Sequence, residues 1–176
     1  METVIETDRL QLREITDDDV TDLHRIYSDP ECMQHYPSVK TWEETRQWFE
    51  ELAVRSYSLH GFGLWAVVER ETNVVIGDCG LTLQTTPLGR EPEIGYHLRK
   101  EYWGKGYATE AAAACRDLAL GDLKFPRVVS IVSPENVSSQ RVAERIHQRR
   151  ELYRKMSLRS GQEVTRYLYI SERSPA

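Results

Sequence analysis

A glycine-lysine-glycine turn between a predicted strand and an alanine-rich helix constrains the fold more than any other segment of this 176-residue chain. Residues 91–98 have the pattern of a strand, Gly104-Lys105-Gly106 follows, and a helix rich in alanine runs from 106 to about 120. Glycine lets a ligand approach the backbone closely, and the N–H groups at a helix start bind anions. Small alanine side chains let the helix lie close to a sheet. The segment therefore predicts a phosphate-binding loop, the alternative being an ordinary turn.

Two common phosphate-binding loops do not match this segment. The nucleotide-triphosphatase loop has the pattern Gly-x-x-x-x-Gly-Lys-Ser/Thr, whereas here Arg99 stands at the first glycine and Gly106 follows the lysine. The dinucleotide fingerprint needs a third glycine where this chain has Thr109, and it follows the first strand of its unit. Neither kind of nucleotide site is predicted.

The rest of the chain predicts one domain over residues 1–170 and a polar tail over 171–176. Apolar residues recur with a helical period in four segments and with strand character in seven. Strands are predicted at 3–14, 63–69, 74–83, 91–98, 128–132, 151–158 and 163–170, and helices near 16–29, 41–57, 106–120 and 136–146. Strands interleaved with helices in this order predict an α/β (α+β) fold with a mixed sheet.

The net charge of −5 hides an asymmetry between the two parts of the chain. Residues 1–98 carry a net charge of −11 and residues 99–176 one of +6. This split favours a polyanionic partner for the basic part and a cationic one for the acidic part. The basic residues lack interleaved aromatics, so no direct nucleic-acid partner is expected. Arg141, Arg145 and Arg149 are predicted to form one basic helix stripe, either a solvated face or an attraction for phosphates.

Composition also bounds the cellular setting. The cysteines, Cys32, Cys79 and Cys115, are few and widely spaced, which argues for reduced thiols and against a disulfide framework or a metal site. No apolar run approaches the ~18–20 residues of a membrane helix. The first residues do not read as a secretory signal. We therefore expect a cytoplasmic protein with no membrane partner.

Three motifs together resemble one family over nearly the whole chain. Trp103-Gly-Lys-Gly-Tyr-Ala108 is similar to the Gln/Arg-x-x-Gly-x-Gly/Ala loop of the GCN5-related N-acetyltransferases (GNAT), with Gly106 and Ala108 at its last two positions. Trp103 replaces the first residue, as in the branch that acetylates ribosomal-protein N-termini. The segments 6–13 and 136–145 are also similar to that branch.

The resemblance implies a fold and a donor, acetyl-CoA. It implies a GNAT-like, seven-strand mixed sheet that splays between its fourth and fifth strands, with about four helices. The pantetheine arm would pair with backbone near Tyr96, His97 and Leu98, while Asn136 and Ser139 would contact the cofactor near its thiol. The pyrophosphate would take backbone N–H groups from Gly104, Lys105, Gly106, Tyr107, Ala108 and Thr109.

Acetyl transfer to an amine needs a neutral amine, a stabilised oxyanion and a proton for the leaving thiolate. Glu93 stands where several family members carry a catalytic glutamate, which makes it the leading base; the alternative is a solvated strand carboxylate. A lone His97 is more often structural. Relatives often place a tyrosine where this chain has Ala143, so Ser139 is the best substitute for the acid, ahead of Tyr153. His147 also departs from the family pattern at the helix exit.

The function predicted from this resemblance is direct acetyl transfer from acetyl-CoA to a primary amine, either a protein N-terminus or a small-molecule amine, without a metal. The alternative is a non-catalytic acyl-CoA-binding sensor, and a nucleotide-binding enzyme is a distant third. Many relatives form homodimers, so a homodimer is a further state that the resemblance implies for this protein.

Overall fold

An eight-stranded mixed sheet runs through the computed structural model, which describes residues 3–157 and 161–173. The strands lie side by side in the order β1-β2-β3-β4-β5-β6-β8-β7. Neighbouring strands are antiparallel except β5 and β6, which are parallel. They are β1 (Thr3–Glu6), β2 (Leu10–Glu14), β3 (Leu64–Glu69), β4 (Val74–Thr86), β5 (Gly89–Leu98), β6 (Arg127–Val132), β7 (Arg149–Met156) and β8 (Glu163–Glu172).

The predicted α/β fold is confirmed, with eight strands in place of seven. The difference lies at residues 3–14, which the alternation predicted as one strand. The Thr7 N–H donates to the Leu10 carbonyl at 2.9 Å, and the chain turns between them. The segment therefore forms an antiparallel hairpin of β1 and β2 instead of one long strand.

Four helical rods pack on the two faces of this sheet. The α-helical segments are α1 (Val20–Tyr27), α2 (Trp42–Phe49), α3 (Arg55–His60), α4 (Tyr107–Leu120) and α5 (Val137–Ile146). A π-helical turn at Glu50–Val54 joins α2 to α3, so these two segments form a single rod. Thr41 and Glu44 cap the start of α2 reciprocally. No helix in the described ranges is long and apolar enough to span a membrane.

The sheet opens between β5 and β6, as the resemblance implied for the fourth and fifth of seven strands. The two strands pair only at Glu93 and Val129. Beyond this point their carboxyl ends diverge, and α4 connects them on one side. Ala111, Ala112 and Ala119 of α4 are fully buried, because their small side chains allow the helix to pack closely on the sheet.

Two sequence expectations change at the C-terminal end. The helix α5 ends at Ile146, so Arg149 lies in β7 and the predicted stripe of three arginines on one helix is wrong. Strand β8 continues through Glu172, and Ser171 is buried, so two residues assigned to the polar tail belong to the sheet. The connection between the strands predicted at 151–158 and 163–170 lies partly outside the described residues.

His147 closes the exit of α5 with its ring between two serines. Its Nε2 lies 2.9 Å from the Ser130 hydroxyl and its Nδ1 lies 3.0 Å from the Ser171 hydroxyl. Burial, helped by the nearby Arg116 guanidinium, lowers the pKa of His147 to about 4. The ring is therefore a neutral clamp between α5, β6 and β8.

This clamp predicts a pH-dependent loss of stability. As pH falls below 6.5, the usual histidine pKa, the unfolded chain takes up the proton first. Stability that depends on neutral His147 is therefore full above that pH and is lost as pH falls toward 4. We expect wild type to lose up to ~2 kcal/mol more than His147→Gln between pH 7 and pH 5 in urea unfolding. Equal losses in the two proteins would contradict this role.

Candidate active site

A cavity of about 300 Å³ occupies the opening between β5 and β6. Its floor is the face of β5 that carries Glu93, Gly95 and His97. Because Gly95 has no side chain, the space between the two ionisable residues stays open. The other walls come from the segment between α1 and α2, α2 and the π-helical turn after it, β6, the start of α5, and the hairpin of β7 and β8. They include Tyr36, Trp48, Leu52, Ser130, Asn136, Ser139, Lys155 and Arg166.

Glu93 stands at the point where the strands separate. Its Oε1 accepts a hydrogen bond of 3.3 Å from the Ile131 N–H of β6. Burial raises the pKa of the Glu93 carboxyl to about 7, although the Ile131 hydrogen bond and the Lys155 charge oppose the rise. A carboxyl with this pKa can both accept and release a proton near neutral pH.

The start of α5 and the adjacent strand β5 bring three predicted site residues to the same wall. Asn136 Oδ1 caps the helix by accepting from the Ser139 N–H at 3.1 Å. The Tyr96 hydroxyl donates to the Ser139 carbonyl at 3.2 Å. Ala143 is fully buried near Val132, so no phenol reaches the cavity from that turn. Ser139 and Tyr96 thus both contribute a hydroxyl group to this wall.

The glycine loop precedes α4 in a conformation that favours glycine. Gly104 has φ 73° and Gly106 has φ 84°, both in the left-handed region. Gly106 is the N-cap of α4 and offers no side chain to the first N–H groups of the helix. Those groups belong to Tyr107, Ala108 and Thr109. They are the backbone donors that an anion at this helix start would use.

The side chains of the loop have different surroundings. Lys105 is exposed, with its Nζ 5.1 Å from the Tyr102 ring centre. Tyr107 is buried and its hydroxyl donates to Glu69, so only its backbone can serve a ligand. The Leu98 side chain is in the core, and its carbonyl accepts from the Trp103 indole at 2.8 Å.

An arginine from the turn before β2 braces this loop, which the sequence analysis did not foresee. Arg9 Nη1 donates to the Lys105 carbonyl at 2.9 Å, and its Nε donates to Glu110 at 2.7 Å. The Thr7 hydroxyl also donates to Glu110 at 2.6 Å, and the Arg9 guanidinium lies 4.4 Å from the centre of the Tyr107 ring. In the sequence, the signal for this brace was the opening motif at 6–13. The motif does not show that Arg9 contacts the glycine loop.

Removing this brace is expected to weaken binding of acetyl-CoA, the donor that the family resemblance implies for this loop. Arg9→Ala leaves the Lys105 carbonyl without this donor and frees the loop that orients the backbone N–H groups. We expect the KM for acetyl-CoA to rise about 10-fold, because ordering the loop then opposes binding. Arg46→Ala, which removes a surface pair with Asp17 at 3.4 Å, is the matched control and should leave KM unchanged. Similar KM values for Arg9→Ala and Arg46→Ala would refute the role.

A buried polar cluster lies at the other end of the cavity floor. Asp78 of β4 is fully buried directly opposite His97 in the register of β4 and β5. Its Oδ1 lies 3.0 Å from His97 Nδ1, and its Oδ2 accepts from the Tyr27 hydroxyl at 3.1 Å. His97 Nε2 lies 2.6 Å from the Tyr36 hydroxyl. The sequence signal for Asp78 was an acid inside an otherwise apolar strand.

The cavity carries charges of both signs. Glu93 contributes an acidic group, with the buried Asp78 behind His97, but Lys155 of β7 and Arg166 of β8 line the same space. The separation of charge between the two parts of the sequence therefore does not carry over to this site. The fold places basic residues of the second part beside acidic residues of the first.

The sheet splayed around a cavity between β5 and β6, with a glycine loop before α4, is the arrangement of an acetyltransferase fold. The chain belongs to the GNAT family: residues 9–149 match the model described as Acetyltransferase (GNAT) domain. It is an N-acetyltransferase by that membership and by its relatives.

Curated and solved relatives cover most of the chain. It is 34% identical to YkkB of Bacillus subtilis over 82% of this chain and 84% of that protein. It is 34% identical to the N-acetyltransferase p20 of Bacillus licheniformis over 79% and 78%. A GNAT-family acetyltransferase of Bacillus anthracis superposes with a TM-score of 0.81 at 28% identity, over 96% and 97% of the two chains. RimL, the ribosomal L7/L12 acetyltransferase solved with coenzyme A, shares the fold at 19% identity, with a TM-score of 0.77 and 98% coverage of both chains.

Proposed function

We propose that this protein transfers an acetyl group from acetyl-CoA directly to a primary amine, on a protein N-terminus or a small molecule. The observation that carries the proposal is the opening of the sheet at Glu93. It places a carboxyl whose pKa is about 7 in a cavity that adjoins an unpaired stretch of β5. The coenzyme A bound by RimL, a protein of the same fold, supports the choice of donor.

The donor is proposed to lie along the opening. Its pantetheine arm would run beside the backbone of Tyr96, His97 and Leu98, where β5 has left β6. Its pyrophosphate would accept N–H groups from the loop and first helical turn, at Gly104, Lys105, Gly106, Tyr107, Ala108 and Thr109. Its thioester would then reach the wall formed by Asn136 and Ser139.

The cavity residues supply the proton transfers that the reaction needs. Glu93 would accept a proton from the attacking nitrogen, and the Ser139 hydroxyl would donate one to the leaving thiolate. The Tyr96 hydroxyl, 3.2 Å from the Ser139 carbonyl, is the second candidate for that donor. Burial raises the pKa of Tyr96, which keeps its proton in place until a thiolate forms beside it.

An acceptor screen tests the proposed function. The purified protein is incubated with acetyl-CoA and, in separate pools, peptides with free N-termini, polyamines, amino acids and aminoglycosides. Thiol release and a mass gain of one acetyl group in one pool are expected. Tight acetyl-CoA binding with no modified acceptor in any pool would favour the acyl-CoA sensor instead. A thermal shift with ATP equal to that with CoA would point to a nucleotide-binding enzyme.

A further inference from the structure

Asp78, His97 and Tyr36 form a continuous hydrogen-bonded chain from the interior of the sheet to the cavity. Asp78 is fully buried, whereas Tyr36 is 38% exposed at the cavity wall. The two links are 3.0 Å, from Asp78 Oδ1 to His97 Nδ1, and 2.6 Å, from His97 Nε2 to the Tyr36 hydroxyl. A carboxylate in the middle of a sheet is costly to bury, and such groups are common where a protein performs chemistry.

The chemistry of the partners fixes where the protons lie. The Tyr27 hydroxyl donates to Asp78, whose carboxylate only accepts. The Tyr27 oxygen also lies 2.8 Å from His97 Nδ1. A proton on Nδ1 of neutral His97 satisfies both neighbours, because that N–H faces the Asp78 carboxylate and the Tyr27 oxygen while the Tyr27 hydroxyl donates to Asp78. His97 Nε2 is then a bare acceptor, and the Tyr36 hydroxyl donates to it. This series of hydrogen bonds is thus arranged to pass a proton from the cavity to His97.

An alkylammonium must lose two protons to become an amide, one before it attacks the thioester and one afterwards. The cavity has two groups that can take them, Glu93 and the Tyr36–His97 pair, on either side of Gly95. The Glu93 charge acts on Tyr36 across this gap, and it is the largest electrostatic contribution to the raised pKa of that phenol after burial. Both groups therefore face the same space.

We propose that Tyr36 and His97, oriented by Asp78, take the first proton from the acceptor ammonium, and that Glu93 takes the second. This assignment rests on the proposed acetyl transfer to an amine. In the first step the ammonium gives a proton to the Tyr36 oxygen while the Tyr36 proton passes to His97 Nε2. The products are a neutral amine, an intact phenol and an imidazolium paired with the Asp78 carboxylate. The imidazolium later releases its proton to water.

The surroundings of the ring on every side are consistent with this role. Asp78 and Glu93 are the negative groups near His97, and both stabilise the imidazolium that the first step forms. Tyr27 and Tyr36 pack against the ring, with ring centres at 4.9 and 5.1 Å. The titratable groups on the packed elements are Asp78 from β4, Tyr27 from α1, Tyr36 from the segment between α1 and α2, and Glu93 from β5.

A pair of amines separates proton removal from structural support. The probes are ethylamine, an ammonium at the assay pH of 8, and 2,2,2-trifluoroethylamine, which the fluorines keep neutral there. Tyr36→Phe should lower kcat/KM about 100-fold with ethylamine and less than about threefold with the fluorinated amine. Asp78→Asn should act in the same direction. Tyr57→Phe is the control, because it removes the hydroxyl of a tyrosine that does not itself line the cavity and that donates to the Leu64 carbonyl. Equal losses with both amines would overturn the relay.

A magnetic-resonance measurement of the His97 ring nitrogens tests the relay without catalytic turnover. In nitrogen-15 histidine-labelled protein, the resonances assigned by their loss in His97→Gln should show a proton on Nδ1 and none on Nε2. The Nε2 resonance should shift in Tyr36→Phe, and Tyr57→Phe should leave it in place. A proton on Nε2, or no shift in Tyr36→Phe, would overturn the relay. If wild type releases no thiol with any amine while this tautomer is observed, the proposed function fails and the hydrogen-bonded chain stands.

Discussion

Replacing Glu93 by glutamine is expected to lower kcat/KM for the acceptor amine by about 100-fold, the usual contribution of a positioned base. Glutamine can still accept the hydrogen bond from the Ile131 N–H, so the junction of β5 and β6 is preserved. The variant loses only the ability to take up a proton. The measurement is steady-state thiol release with the acceptor varied at saturating acetyl-CoA.

The pH dependence of activity gives a second test of Glu93 as the base. A carboxylate base works when deprotonated, so wild-type activity should fall as pH drops through about 7, the pKa of Glu93. The profile of Glu93→Gln should lack the fall in activity that comes from protonation of Glu93. It should keep the fall that comes from protonation of the acceptor amine. Glu91→Gln, which alters a carboxyl on the same strand paired with Arg127 at 3.5 Å, is the control and should retain the wild-type profile. An unchanged profile in Glu93→Gln would remove Glu93 from the mechanism.

Valine in place of Gly106 is expected to raise the KM for acetyl-CoA about 30-fold, which corresponds to ~2 kcal/mol. Gly106 has φ 84°, where a side chain with a β-branch is strained. Its backbone would leave that conformation and turn the first N–H groups of α4 away from the pyrophosphate. The added side chain would also occupy space in front of them.

Gly61→Val is the matched control for strain alone. Gly61 has φ 75° and ends α3, and a Cβ there would meet no atom within 4 Å. Both variants should lose similar folding stability, but only Gly106→Val should lose affinity for the donor. Isothermal titration with CoA and urea unfolding measure the two effects separately. Equal affinity for CoA in both variants would contradict the placement of the pyrophosphate.

Features set by local sequence pattern were predictable, and these include the conformation of the glycine loop. A glycine turn followed at once by an alanine helix specifies its own geometry, because left-handed φ values and close packing depend on residues within a few positions. The caps at Thr41 and Asn136 are local in the same way. The opening of the sheet came from the family resemblance, since no periodicity distinguishes paired from diverging strands.

Features set by strand register and distant contacts were not predictable. Asp78 meets His97 only because β4 and β5 pair in one register, and a shift of one residue would turn either side chain to the other face. Arg9 and Glu110 are 101 residues apart. The partners of His97 cannot be read from the sequence, because they come from other elements. Arg149 was predicted on a helix because the helical spacing continues past the turn at His147.

The single pairing between β5 and β6 has a consequence for how the chain folds. Strands β1 to β5 join only their neighbours in sequence, and β6 to β8 form a second local group. Local groups form quickly, so the joining of the two is expected to be the late step. The connection that brings them together is the glycine loop and α4, fixed to the first group by Arg9 and Glu110. The residues that brace the glycine loop are therefore also those on which completion of the sheet depends.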